Sequence, residues 1–191
     1  MVESLGLRSR LAQALSATSF EHSERAAATA VRLAKMHSAD EEKALTAGLV
    51  HDAARDLTDR VLLKRAKEYG IEISAIEEEK PYLVHAAVGA RMAAEDYEIV
   101  DESILSAVKN HTFGQTNMSK LDKIVFLADM IEPKRDFNGI ETIRELVEEN
   151  LDKAFAVAFQ MQMVRLINQG KVIHPKAISV WNSVAKEVGK K

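Results

Sequence analysis

Two stretches of the chain place acids in apolar surroundings, and one of them adds a histidine. Lys123–Ile131 reads K-I-V-F-L-A-D-M-I, apolar on every side of a helix beyond its first residue except at Asp129. Ala47–Ala54 reads A-G-L-V-H-D-A-A, where adjacent His51 and Asp52 break another apolar helix. A helix that is apolar all round is a buried helix. A buried carboxylate destabilises the fold unless a cation, an arginine or several hydrogen bonds compensate it. Two such interruptions in one chain imply polar groups facing each other across a shared site.

The histidines sharpen this. Of six, His22 lies in an early helix, His51 precedes Asp52, His85 lies just inside a helix opened by Pro81, and His111 closes a helix before a turn. His37, after an apolar helix end, and His174, beside Pro175, read as surface or capping residues. The other four, with Asp52 and Asp129, make an ordered set of imidazoles and carboxylates without thiolate. Such donors suit iron, manganese or zinc, with positions left for water. A site of this kind lowers the pKa of water and clamps phosphoryl oxygens. The competing reading is a buried ion-pair network with Arg55 or Arg91 as the cation. There is no cysteine, which excludes disulfides, zinc knuckles, iron–sulfur clusters and a thiolate nucleophile.

The elements that must position these groups are helical. Apolar residues recur at three and four positions, and β-branched residues never gather into alternating runs. The period predicts helices over 4–16, 20–37, 40–54, 59–69, 81–96, 101–111, 119–132, 139–147, 150–169 and 174–188. Segment 71–80 is read as a loop or a short helix, and 112–118 and 133–138 as polar turns. Ser38, Asp40, Thr58 and Ser119 stand where N-caps would, while Gly70 and Gly170 end helices. The stripe Leu151, Ala154, Phe155, Ala158, Phe159, Met161 and Met163 reads as core, and Trp181 as packing the last helix onto the body.

The 191 residues are expected to form one all-α domain spanning 1–191, its core at about 20–166 and the helices of 150–188 packed on it. Lysine and arginine number 26 against 29 acids, a net charge of −3, which argues against bulk electrostatic binding of nucleic acid or anionic membrane. Apolar residues make up 47%, too many for a disordered chain. Met1–Ser9 lacks a signal-peptide pattern, and no apolar run approaches ~18 residues. The expected protein is soluble and cytoplasmic.

In order and spacing these motifs resemble the HD superfamily of metal-dependent phosphohydrolases, whose signature is a histidine, an adjacent His-Asp pair and a distant Asp on helices. Phe20–Ser23, Gly48–Leu57, Pro81–His85, His111-Thr112, Asn117–Ser119 and Leu127–Phe137 narrow the resemblance. Together they are similar to the YqeK-type bacterial branch, the symmetrical bis(5′-nucleosyl)-tetraphosphatases, over about Phe20 to Leu166.

The resemblance implies an all-helical enzyme that cleaves diadenosine tetraphosphate in the middle to two ADP. It implies an iron centre, mono- or dinuclear, with manganese or another divalent metal as a substitute. Carried over by position, His22, His51, Asp52 and Asp129 are implied as ligands of the first metal. His85 and His111 would complete a second site or hold the scissile phosphates. Glu132, Arg135 and Asp136 match a loop near the nucleotide, and Arg55 stands where relatives carry a phosphate-directed Lys. The implied substrate-binding set is His22, Asp52, His85, His111, Asp129, Glu132 and Arg135; the catalytic set is Asp52, His85, His111 and Arg55. Arg55, Lys134 and Arg135 would neutralise the outgoing diphosphate. Ser19, Ala86, Lys109, Phe113 and Asn138 depart from the branch's usual residues. Another nucleotide as substrate, or a sensor that binds nucleotide without turnover, are the alternatives, and the apolar C-terminal helices suggest a homodimer.

Overall fold

The computed structural model describes residues 2–188, with eleven α-helices and no strand among them. In chain order these are α1 (Val2–Ala14), α2 (Ala17–Met36), α3 (Glu41–Val50), α4 (Asp59–Glu68), α5 (Ala75–Glu79), α6 (His85–Glu95), α7 (Glu102–Asn110), α8 (Lys120–Ile131), α9 (Ile140–Glu149), α10 (Leu151–Asn168) and α11 (Pro175–Val188). A single 3₁₀ turn, Pro81–Val84, leads into α6. The all-α expectation therefore holds, and the segment left open at 71–80 contains the short helix α5.

Several helix starts are set by the side chains that their position favours. Asp40 accepts from the backbone N–H groups of Glu42 and Lys43, both at 3.0 Å. Ser119 and Asp122 form a reciprocal capping box at the start of α8. Thr58 precedes α4 but makes no side-chain cap bond. Ser38 is not an N-cap: with φ of 51° it lies past the end of α2, in the left-handed conformation that lets Ala39 N–H reach Ala34 O at 2.8 Å.

α8 is the spine, packed against α2, α3, α7, α9 and α10. Its Phe126 meets Phe155 and Phe159 of α10 with ring centroids 5.1 and 5.9 Å apart. The stripe read as core on α10 is core, except that Met161 is only partly buried, and Trp181 packs against the same cluster. α2 and α3 cross so closely that a Cβ on Gly48 would lie 2.6 Å from the Cα of Ala27. That approach brings the histidine of α2 beside the His51-Asp52 pair.

The helix expected over 40–54 stops at Val50, and residues 51–56 form turns. His51 supplies the reason. Its Nδ1 donates to Gly48 O at 2.8 Å, the carbonyl that Asp52 N–H would need if the helix continued. The helix expected from 81 likewise begins as a 3₁₀ turn before His85.

Candidate metal centre

Six side chains from five places in the chain converge. His22 comes from the middle of α2, His51 and Asp52 from the turn after α3, His85 from the first position of α6, His111 from just past α7, and Asp129 from the last turns of α8. His51, His85 and His111 are buried, and His22 and Asp129 partly so. The rim therefore opens on the side of those two.

Three of the imidazoles are oriented by one device. Nδ1 of His51 bonds Gly48 O, Nδ1 of His85 bonds Tyr82 O at 2.7 Å, and Nδ1 of His111 bonds Val108 O at 2.7 Å. Each uses the carbonyl three residues back. A carbonyl only accepts, so each Nδ1 carries the proton and each Nε2 is turned inward. His22 reaches the same result differently. Its Nδ1 faces Oε1 of Glu132 at 3.2 Å, and Glu132 is itself held by Arg25 Nε at 2.6 Å and by the backbone N–H of Lys134 at 2.8 Å.

Asp52 lies between two groups of nitrogens. Its Oδ2 is 3.5 Å from His51 Nε2 and 3.8 Å from His22 Nε2, while its Oδ1 is 3.4 Å from Nε2 of both His85 and His111. Asp129 Oδ1 lies 2.9 Å from His22 Nε2 and 3.8 Å from His51 Nε2. Nε2 of His85 and His111 are 3.2 Å apart.

Charge follows from this arrangement. Burial alone would push His51 down, but Asp52 and Asp129 outweigh it and raise it to about 9. Burial holds His111 below its ordinary value despite Asp52. Asp52 and Asp129 are both held well below the carboxylate range: the neighbouring imidazoles outweigh the cost of burial at each, helped at Asp129 by Arg135.

The donor set fits a metal ion. His51 Nε2 and Asp52 Oδ1 are buried with no hydrogen-bond partner. Unpartnered buried polar atoms are costly, and these two lie in one cluster of inward-turned Nε2 atoms and ionised carboxylates. A divalent cation satisfies all of them together. Two groups have ligand atoms close enough to share an ion: His22, His51 and Asp129, and His51, Asp52 and His111.

Two arginines flank the acids. Arg55 Nη1 is 3.8 Å from Asp52 Oδ2. Arg135 Nη2 is 2.5 Å from Asp129 Oδ1, and its Nε donates to Asp129 O at 3.0 Å. Arg91 instead faces Glu95 at 2.9 Å and is no partner of the buried acids. The Lys134 side chain is exposed, 3.5 Å from Glu21, and its backbone N–H bonds Glu132 behind His22. His174, read as a surface or capping residue, is a cap but is not on the surface: its Nδ1 accepts from Lys176 N–H at 3.2 Å at the start of α11, and it is buried, 3.6 Å from Glu77 and stacked on Phe113.

Three contributors went unmarked in the sequence reading. Arg25 holds Glu132 behind His22, and its position three residues on from His22 was the available signal. Arg144 of α9 spans 3.2–3.4 Å to the carbonyls of Ile131, Glu132 and Arg135, fixing the turn after α8; nothing local in the sequence points to that role. Tyr82 stacks on His85 at the rim.

Known proteins share this arrangement of sequence. Residues 19–134 match the family model of the HD domain. The chain is 35% identical over 170 residues to the symmetrical bis(5′-nucleosyl)-tetraphosphatase of Halalkalibacterium halodurans, covering 88% of this chain and 89% of that protein. It is 34% identical to the Bacillus subtilis protein of the same name, covering 81% and 82%. A crystal structure described as a predicted HD superfamily hydrolase involved in NAD metabolism, from Clostridium acetobutylicum, superposes with a TM-score of 0.91 at 34% identity, over 95% of this chain and 96% of the other.

Proposed function

This chain belongs to the HD domain family and, within it, to the symmetrical bis(5′-nucleosyl)-tetraphosphatases, and on that premise we propose that it hydrolyses diadenosine tetraphosphate to two ADP in a metal-dependent reaction. Phosphohydrolase activity comes with the family. Metal dependence is supported by the inward convergence of four Nε2 atoms on two carboxylates, with His51 Nε2 and Asp52 Oδ1 left without other partners, and the substrate by the relatives' named activity.

His22, His51, Asp52 through Oδ2, and Asp129 would hold the first ion. His85 and His111, with Asp52 Oδ1, would hold a second. Iron is the metal we propose, with manganese as a substitute: the family resemblance implies iron, and mixed imidazole and carboxylate sites without thiolate accept both. When bound, the metal supplies charge against the phosphate oxygens and lowers the pKa of water.

The chain's own part is orientation and charge. The four Nδ1 bonds fix the rings before substrate arrives, so no reorganisation accompanies the reaction. Arg55 and Arg135, on the acids' solvent side, are placed to meet the polyphosphate and take up charge on the departing diphosphate. Water adds its oxygen to one of the two central phosphorus atoms, the central anhydride P–O bond breaks, and the bridging oxygen leaves on the second ADP. Glu132 was expected at the nucleotide. Its buried carboxylate is engaged by Arg25, His22 and Lys134 N–H, and we assign it to holding His22.

Incubating the Fe(II)-loaded protein anaerobically with diadenosine tetraphosphate and resolving the products by anion exchange tests this. ADP alone is the expected product. AMP with ATP contradicts central cleavage, and no turnover by folded, metal-loaded protein contradicts the substrate.

A further inference from the structure

We infer that Tyr82 is a positioning residue for this centre: its ring holds the Arg55 guanidinium beside Asp52, oriented for a phosphate before substrate binds. The inference rests on the phosphate chemistry proposed above for the same site.

Tyr82 sits in the 3₁₀ turn that Pro81 opens, three residues before His85. It meets the centre in three ways. Its carbonyl accepts from His85 Nδ1 at 2.7 Å, which aims the opposite nitrogen inward. Its ring stacks on the His85 imidazole, with centroids 4.6 Å apart and planes 25° apart. The Arg55 Cζ lies over that ring at 4.9 Å from its centroid. Arg55 in turn places Nη1 3.8 Å from Asp52 Oδ2. The Tyr82 ring thus joins a buried imidazole to the arginine at the rim.

Physical chemistry favours the pairing. A long side chain at a solvent edge loses rotamer freedom whenever it is held in one place, and Arg55 keeps 38% of its side-chain exposure. A planar guanidinium stacks on an aromatic face and keeps its edge for bidentate contact with phosphate oxygens. Lysine carries the same charge with neither property. Tyr82 is itself 41% exposed, among the more exposed large side chains, and its place against Arg55 gives that exposure a use.

The test is a double-mutant cycle read in binding of inorganic pyrophosphate to the metal-loaded protein by calorimetry, with KM and kcat for diadenosine tetraphosphate alongside. Tyr82→Leu and Arg55→Lys should each weaken pyrophosphate binding by about tenfold, raising KM more than they lower kcat. The double variant should be no weaker than either single one. Tyr82→Phe, which keeps the ring, should bind like wild type. Multiplying losses would overturn the inference, and so would unchanged pyrophosphate binding in Tyr82→Leu. Unchanged pyrophosphate binding with a raised KM would mean that the ring instead stacks on a nucleobase, which pyrophosphate lacks. If leucine lowers the melting temperature, Arg55→Lys in the Tyr82→Phe background carries the test, with the same tenfold loss expected and no loss refuting it. Pyrophosphate binding is read whether or not the dinucleotide is cleaved. A failed hydrolysis assay beside an intact cycle therefore removes the substrate assignment and leaves Tyr82 in place.

Discussion

At the scale of the residue, each imidazole of the centre has one nitrogen committed outward so that the other is free inward. Three of the outward partners are backbone carbonyls, which substitution of side chains cannot remove. The fourth is Glu132, so the His22 side of the centre is the one open to mutation. Glu132→Gln keeps the shape but weakens the contacts to His22 and Arg25. Metal affinity, measured by chelator competition, should fall about 10–100-fold, and unchanged affinity would remove Glu132 from the support of His22. The sequence marked Asp129 and the His51-Asp52 pair clearly, because charge inside an apolar helix needs an explanation. It marked His22 and His85 weakly, since Glu21 and Ser23 flank one and neither Val84 nor Ala86 forces burial of the other. Their place became legible through the order of the whole set. Glu132, Arg25 and Arg144 act on the centre through side-chain contacts 9 to 110 residues away in sequence, and local pattern carries no such information.

At the scale of the element, three of the four histidines stand at helix ends, His51 and His111 just past one and His85 at the start of another. Hydrophobic periodicity ran through Ala53 and Ala54, and these alanines are buried as the pattern required. The backbone is nonetheless in turns there, because the His51 ring has taken the carbonyl that the next helical bond would use. Periodicity reports which side chains face the core and says nothing of such a competitor. The crossing of α2 on α3 has its own requirement, since only glycine at 48 leaves room for the Ala27 backbone. Gly48→Ala must push the two helices apart, and overpacking of this kind costs about 1–3 kcal/mol. Thermal unfolding of the variant should show that loss, with weaker metal retention because His22 and His51 move apart with their helices. A wild-type melting temperature would mean that the crossing relaxes freely.

At the scale of the molecule, α2, α3 and α7 pack on α8 and α6 packs on α7, which gathers the imidazoles and Asp52 beside Asp129, so fold stability and the charge state of the centre are linked. His51 is raised from 6.5 to about 9, so its contribution is complete below about 6.5 and is lost as pH rises through about 9. Asp52 and Asp129 are lowered from 3.8, so their contribution is present above that value and is lost as pH falls. Protein stripped by a chelator should therefore be most stable near pH 6.5, losing stability toward pH 9 as His51 deprotonates and toward acid as the unfolded chain protonates His111 and His174, which burial holds down in the fold. A metal held by His51 would take the place of its proton, so in the loaded protein the stable range should extend upward. Melting temperatures over a pH series, with chelator and with Mn(II), check this; parallel curves would contradict it.

The all-helical architecture was legible throughout the sequence, because apolar spacing is repeated in every element. The meeting of the six side chains was legible only as an inference from the expense of burying charge. Asp52 is the residue on which the account turns, since each of its oxygens faces a different pair of imidazoles. The most direct measurement is the iron content of anaerobically loaded wild-type and Asp52→Ala protein, read beside their turnover of diadenosine tetraphosphate. Wild type should retain iron and form ADP, while Asp52→Ala, still helical by circular dichroism, should lose both iron and turnover. Wild-type iron content and turnover in Asp52→Ala would contradict a metal centre built on that carboxylate.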